Sequence, residues 1–434
     1  MRARRVDARF AGRRAARAGL TLASALALAG AGCGSDGVLV SGRPHGERPE
    51  EVSGEIAWSS DDPALGSVMY GESPGRYTRI AYPLGRAWEQ EHRTPLLAED
   101  GIVYHAKARA VLPSGEIVPS REFSFVSRRG RARPEILSWT MIDVGWGDAH
   151  LAVGPGGKRI LIDSGRPDHV EDLVTFLMDE LDPRTPFLDV VLATHEDSDH
   201  IGGLVGALDD PGDGILERFT VGRIVLNEAP ESITPELAKV LEIAASDSIA
   251  VTHLREGDSD TGTEALRWGE GIGVRVLNAR NLVGDGVANN GSIVLRVAFG
   301  SFRLIAGGDL EAVAEARIVD DYGGADGGSF LRADVLKVNH HGHDDASSPA
   351  YLAATSPVVA LVPSGSLEVA CSAPARSVLE RLFALPADVY RSDFARPVRS
   401  VPCEDDYGHV TVVSDGRSFE VRIRPSAALH HPPD

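Results

Sequence analysis

The sequence predicts a layered α/β domain behind a small all-β domain. Three observations lead there. Residues 135–425 alternate short apolar strands with helical stretches, and residues 51–128 carry only short strands separated by turns. Within the α/β part, the apolar strand Val190–Thr194 runs straight into His195-Glu196-Asp197-Ser198-Asp199-His200.

The chain has 434 residues, enough for two or three domains, and its 43% hydrophobic and 25% charged content is that of a folded protein. Its formal net charge is −19. Stable nucleic-acid binders carry a basic stripe, so no stable nucleic-acid complex is expected. A bound cation could still make one site locally positive.

Residues 1–17 hold seven arginines and one acid, followed by an apolar stretch from Leu20 to Ala31 and small residues before Cys33. Residues 1–32 therefore read as an export signal. Removing them takes away seven positive charges and one negative, from −19 to −25. The run Leu28 to Cys33 resembles a bacterial lipobox, with Gly30 where that family prefers Leu. The resemblance implies lipidation of Cys33 and a membrane anchor, facing the periplasm or the cell surface. A plain secretory signal with an incidental cysteine is the alternative. Residues 33–50, rich in Gly, Ser, Pro and charge, read as a flexible tether. Cys371 and Cys403 remain, an even pair in an oxidising compartment, so either a disulfide or two buried thiols is expected.

Over residues 51–128, strands are expected at Gly54–Trp58, Ser67–Tyr70, Arg76–Tyr82, Ile102–Leu112 and Glu122–Ser127. Turns such as Asp61-Asp62-Pro63 separate them. Tyr104, Ala106, Ala108 and Ala110 alternate with His105, Lys107 and Arg109, which marks a half-buried strand. The spacing suits a small sandwich. With Trp58 and Tyr70-Gly71, it resembles a fibronectin type III-like domain, which implies spacing or contact rather than catalysis. Residues 129–134 read as a basic linker and 426–434 as a disordered tail. Between them, helices are expected at Val170–Leu181, Pro235–Ala245, Glu311–Asp320 and Arg376–Leu385.

The chemistry is concentrated where the strand Val190–Thr194 ends. A tight turn lets His195 and Asp197 converge on one point while Asp199 and His200 face another, and Gly202-Gly203 then open a helix. Imidazole with carboxylate suits hard-to-borderline divalent ions. A polar surface loop is the bland alternative. The run resembles the His-x-His-x-Asp-His signature of the metallo-β-lactamase superfamily, with Asp197 in place of the second His. That replacement is similar to the nuclease-like domain of ComEC-type DNA-uptake proteins. The likeness extends through Met141–Asp148, Leu161–Gly165, Asn289–Leu295, Ala306–Glu311, Asp334–Gly342, Val389–Asp393 and Gly408–Gly416.

What this resemblance implies is specific. The fold would be a four-layer αββα sandwich. Asp199, His200, His341 and a bridging Asp309 would hold one metal; His195, Asp197 and Asp309 would hold the other. Asp163 would orient the ligand loop from behind. The third histidine of the superfamily is missing, and Asn227 or Glu228 stands in its place. The oxygen-rich donors suit two divalent ions, Zn²⁺ or Mn²⁺. Phosphodiester hydrolysis by a metal-activated water is implied, with Asp199 accepting the proton and His340 stabilising developing charge. The substrate would be a small-molecule or nucleic-acid phosphodiester. His343 stands where the subgroup usually has Ser, and His253 reads as a surface residue. Lactone, ester or β-lactam hydrolysis is the rival within the superfamily; a catalytically silent envelope lipoprotein is the rival outside it.

Overall fold

The computed structural model describes residues 38–40, 50–52 and 54–425, except 129–133, 183, 210–211, 229–231, 281–287, 325–327, 366–372 and 399–407. The export signal, Cys33, Cys371, Cys403 and the tail lie outside the described residues.

Strands Arg159–Ile162, Val190–Leu192, Arg223–Asn227 and Ala250–Leu254 pair in parallel, in that order. Parallel neighbours need crossovers. Helices Val170–Glu180, Ser198–Val205 and Pro235–Ser246 lie on those connections. Val170, Leu173, Val174 and Leu177 are buried, which is one helical stripe. Pro235 opens its helix, where a missing N–H costs nothing, and Thr234 Oγ1 accepts from Leu237 N at 3.2 Å. On the other side of Arg159–Ile162 the ladder turns antiparallel through His150–Val153, Leu137–Met141, Gly408–Ser414 and Ser418–Pro425.

A second sheet runs Ile272–Asn278, Val294–Phe299, Phe302–Gly307, Val335–Lys337, Val359–Val362, Asp388–Arg391 and Phe394–Val398. The two sheets share one core that includes Trp139, Ile160, Leu192, Val225, Val274, Leu295, Leu304 and Leu361. The outer face of the first sheet packs on the three helices already named. The outer face of the second packs on Ala312–Tyr322, Pro349–Thr355 and Arg376–Phe383. Burial on both faces is why strands such as Val190-Val-Leu192 and Val359-Ala-Leu-Val362 are apolar throughout. The layers are the αββα arrangement of the metallo-β-lactamase fold.

The 55–127 region is all β, with Trp58, Tyr70, Tyr104 and Phe125 buried in a core of its own. Its sheet, however, continues into the α/β part. Arg79–Pro83 pairs antiparallel with Ser418–Pro425, and Glu55–Gly71 lies beyond it. This covers a strand that would otherwise expose a row of unpaired backbone groups. Tyr82 Oη donates to Asp388 Oδ2 at 2.6 Å, and the Arg109 guanidinium donates to both Asp388 oxygens, one contact at 2.7 Å. Asp388 belongs to the second sheet, so the β region is bound to both sheets.

Two local expectations change. Asp61-Asp62-Pro63 is not a turn between strands; the chain stays extended from Glu55 to Gly71 and passes from one set of partners to another with a register shift. The three residues are exposed at that corner, where Pro63 costs no buried hydrogen bond. Residues 38–40, inside the expected tether, pair with Trp58–Ser60 because Val38-Leu-Val40 is itself an apolar strand sequence.

Candidate metal centre

The functional side chains lie at the carboxyl ends of the strands. Asp163 follows Arg159–Ile162, Thr194 and His195 follow Val190–Leu192, Asp309 follows Phe302–Gly307, and His340 and His341 follow Val335–Lys337. Asp199 and His200 sit in the first turn of helix Ser198–Val205. Two glycines permit the close approach. A Cβ on Gly308 would lie 2.4 Å from Thr194 Oγ1, and one on Gly203 would lie 2.2 Å from Ser164 O.

Asp199, His200, Asp309 and His341 offer ligand atoms all within 4.8 Å of one another. Asp309 Oδ2 lies 3.1 Å from His200 Nε2 and 3.3 Å from His341 Nε2. Asp199 Oδ2 lies 3.4 Å from His341 Nε2. The far nitrogens are held from behind: His200 Nδ1 lies 2.8 Å from Asp163 Oδ2, and His341 Nδ1 lies 3.2 Å from Asp148 Oδ1. Asp163, at φ 55°, also accepts from Thr194 N and Thr194 Oγ1, both at 2.7 Å. Such outer contacts fix ring orientation and free the inner nitrogen for a ligand.

The centre has an excess of negative charge. Asp148, Asp163 and Asp309 are buried and Asp199 half-buried, beside the buried ammonium of Lys337, which pairs with Asp148 and donates to Gly308 O at 3.0 Å. Burial opposes the charge on Asp199 and Asp309, but His200 and His341 outweigh it and hold both carboxyls well below the usual carboxylate range. Burial alone would also keep the two imidazoles neutral, yet Asp309, with Asp163 for His200 and Asp148 for His341, raises both well above the ordinary value. His200 Nε2, His341 Nε2 and Asp309 Oδ1 are buried without a hydrogen-bond partner. Unpaired buried donors and acceptors are costly. A divalent ion ligated by these four residues would take up the two imidazole nitrogens, so the set fits one ion.

The other expected set does not converge in the same way. His195 is buried, with Nε2 3.5 Å from Asp197 Oδ2, but the Asp197 side chain is 45% exposed. Among the described residues these two form no three-residue ligand set with Asp309. Asn227 is buried beside His195, yet its Nδ2 donates to Gly291 O at 3.3 Å. Glu228 pairs with Arg255 at 3.1 Å. Asp309 turns Oδ2 to the histidines, while Oδ1 faces Lys337 Nζ at 4.0 Å.

His340 lies outside the inner set. Its Nε2 is 3.8 Å from Asp309 Oδ2 and its Nδ1 is 2.9 Å from Asp345 Oδ1. His253 is exposed and bonds Asn227 O at 2.9 Å. Asp148 and Lys337 had no role assigned from the sequence. Lys337 does carry a signal, a single cation inside the otherwise apolar run Val335-Leu-Lys-Val338, ending the strand Val335–Lys337 at 1% exposure. Asp148 carries a weaker one, an acid after the Gly145-Trp146-Gly147 turn.

No family model matches the chain. Two curated proteins resemble it. ComE operon protein 3 of Bacillus subtilis (strain 168) is 27% identical over 242 residues, covering 52% of this chain and 28% of that protein. Competence protein ComA of Neisseria gonorrhoeae is 28% identical over 274 residues, covering 62% of this chain and 33% of that protein. The chain thus spans about a third of the length of the curated relatives it matches. Among solved structures, a putative metallo-beta-lactamase from Thermotoga maritima is 15% identical, with a TM-score of 0.29, covering 46% of this chain and 95% of that one. A flavodiiron protein from Giardia intestinalis is 11% identical, with a TM-score of 0.27, covering 39% and 37%.

Proposed function

We propose that this protein is an exported, metal-dependent phosphodiesterase, anchored to the membrane through a lipid on Cys33. The observation that carries the catalytic reading is the inner set: Asp199, His200, Asp309 and His341 turned onto one point with buried, unpartnered nitrogens. The bound ion would supply Lewis-acid activation of water and of a phosphoryl oxygen.

The chain's own residues would do the rest. Asp163 and Asp148, beside His200 Nδ1 and His341 Nδ1, would hold the two imidazoles in one orientation. Asp199, the most accessible of the inner ligands, would accept the water's proton. His340 reaches the mouth of the site from the outer side of Asp309, where an oxygen of the substrate would gather charge. Lys337 keeps Asp148 ionised and the inner pocket from carrying four uncompensated carboxylates.

The experiment is a comparison of bis-p-nitrophenyl phosphate with nitrocefin and a lactone, on the purified chain loaded with Zn²⁺ or Mn²⁺. Faster turnover of the phosphodiester, lost in His200→Ala, supports the reading. Preferential turnover of nitrocefin or the lactone overturns it in favour of the ester-type reaction. Absence of metal, with His200→Ala changing nothing measurable, overturns the enzyme reading in favour of a silent binding protein.

A further inference from the structure

Beside the inner set, the turn after Val335–Lys337 builds a second constellation. His340 and His341 both adopt left-handed backbone, φ 50° and φ 52°. The two rings are set edge to face, 6.3 Å apart, with His341 buried at 1% exposure and His340 half-buried nearer the surface. The turn is closed by His343 N donating to His340 O at 2.7 Å and Ala346 N donating to His343 O at 3.1 Å. This brings the His340 and His343 rings into a stack, with centroids 4.5 Å apart and planes 18° from parallel. Asp345 completes the group. Its Oδ1 lies 2.9 Å from His340 Nδ1, and its backbone is fixed because Asp345 O accepts from Ala312 N at 2.7 Å. His340, His343 and Asp345 offer ligand atoms within 4.8 Å of one another, with the two histidines half-buried and Asp345 exposed.

We infer that His340, His343 and Asp345 form an accessory divalent-cation site at the rim of the inner centre. Two imidazoles and one carboxylate are a borderline donor set that suits Zn²⁺. Three protein ligands leave coordination positions open, and partial exposure gives those positions to solvent or to a ligand oxygen. Stacked imidazoles on one turn, with a carboxylate beside them, already hold their ligand atoms within 4.8 Å of one another. The site does not reuse the inner ligands, since the two sets share no residue. It lies next to them through His340, whose Nε2 is 3.8 Å from Asp309 Oδ2.

Its consequence rests on the hydrolase reading. A protein of net charge −19 repels an anionic substrate, and a rim cation would reverse the sign of the field at the mouth of the pocket. It would meet phosphate oxygens that the inner ion does not reach, with His340 acting through the ion rather than alone. The two-ion expectation from the sequence would then be met by His340, His343 and Asp345 instead of His195 and Asp197.

The test is metal counting on the full chain, by elemental analysis after equilibration with a small excess of Zn²⁺. The variants are His343→Ser, Asp345→Asn and His200→Ala, with circular dichroism as a check of folding. The first two are expected to lose one equivalent of zinc and keep the inner ion, while His200→Ala loses the inner ion. With Co²⁺ in place of zinc, His343→Ser should remove one set of visible bands. If folded His343→Ser and Asp345→Asn both bind as many equivalents as wild type, the accessory site is refuted, whatever the phosphodiesterase assay shows. If they lose an ion and no phosphodiester is cleaved, the site stands and the phosphodiesterase reading falls.

Discussion

Removal of the Arg109 guanidinium tests how the all-β region is held. Asp388 is fully buried, and its two oxygens are taken by Arg109, with Tyr82 Oη 2.6 Å from one of them and 2.8 Å from Tyr390 Oη. Burial pushes the Asp388 carboxyl up, and Arg109 more than reverses this, holding it well below the usual carboxylate range. Arg109→Met keeps the aliphatic stem but leaves a buried carboxylate without its cation. Breaking a buried pair in this way costs about 3–5 kcal/mol. The unfolding entropy grows with chain length, so for a chain this long that loss corresponds to a fall in Tm of roughly 4–6 °C. Differential scanning calorimetry and urea unfolding should both show it, as a shift of the main transition, since the strands are continuous from Val103–Val111 to Ala250–Leu254. The pH dependence has a definite sign. A carboxyl depressed in the folded state contributes stability that is fully present above its unfolded pKa of about 3.9 and is lost as pH falls through its folded value. The stability difference between wild type and Asp388→Asn should therefore be largest near neutral pH and shrink below about pH 4. An Arg109→Met protein within about 1 kcal/mol of wild type, or one that melts in a separate small transition with the main one unmoved, would refute the reasoning.

Other outcomes follow from the centre. Asp163→Asn should weaken metal binding by about 10–100-fold while leaving the fold intact, read by competition with a chromophoric chelator, because His200 loses the carboxylate that orients it. Lys337→Met should destabilise by about 3–5 kcal/mol by stranding Asp148, and the double variant Lys337→Met/Asp148→Asn should recover part of that loss in urea unfolding. Stripping metal with EDTA should lower the Tm, and metal restored at about 100 times its Kd should return about 2.7 kcal/mol; no change in Tm on stripping would remove the case for a structural contribution of the ion.

Much of this was legible in the chain because it is local. Apolar runs of three to six residues mark strands buried on both faces, and the stripe Val170, Leu173, Val174, Leu177 marks a crossover helix. Ligand residue types packed into six positions after the strand Val190–Thr194 mark a site, since a strand end delivers adjacent side chains to one place. Other features depend on residues far apart in the chain. Nothing near Asp388 announces that Arg109, 279 positions earlier, will neutralise it. Composition around residues 129–134 suggests a linker, whereas the sheet that joins the two parts follows from an edge strand, Ser418–Pro425, that needs a partner. Lys337 and Asp148 are ordinary residue types whose meaning comes only from being buried against each other.

By itself, then, the sequence determined the alternation of strands and helices and the donor cluster His195–His200, because periodicity and clustered donors are properties of neighbouring residues; Asp309 and His341 entered through the family resemblance. Only the tertiary structure decided how the ligands are grouped. It placed Asp199, His200, Asp309 and His341 around one point and left Asp197 toward solvent. It set His340 beside His343 and Asp345, because the turn closed by His343 N and His340 O stacks those two rings.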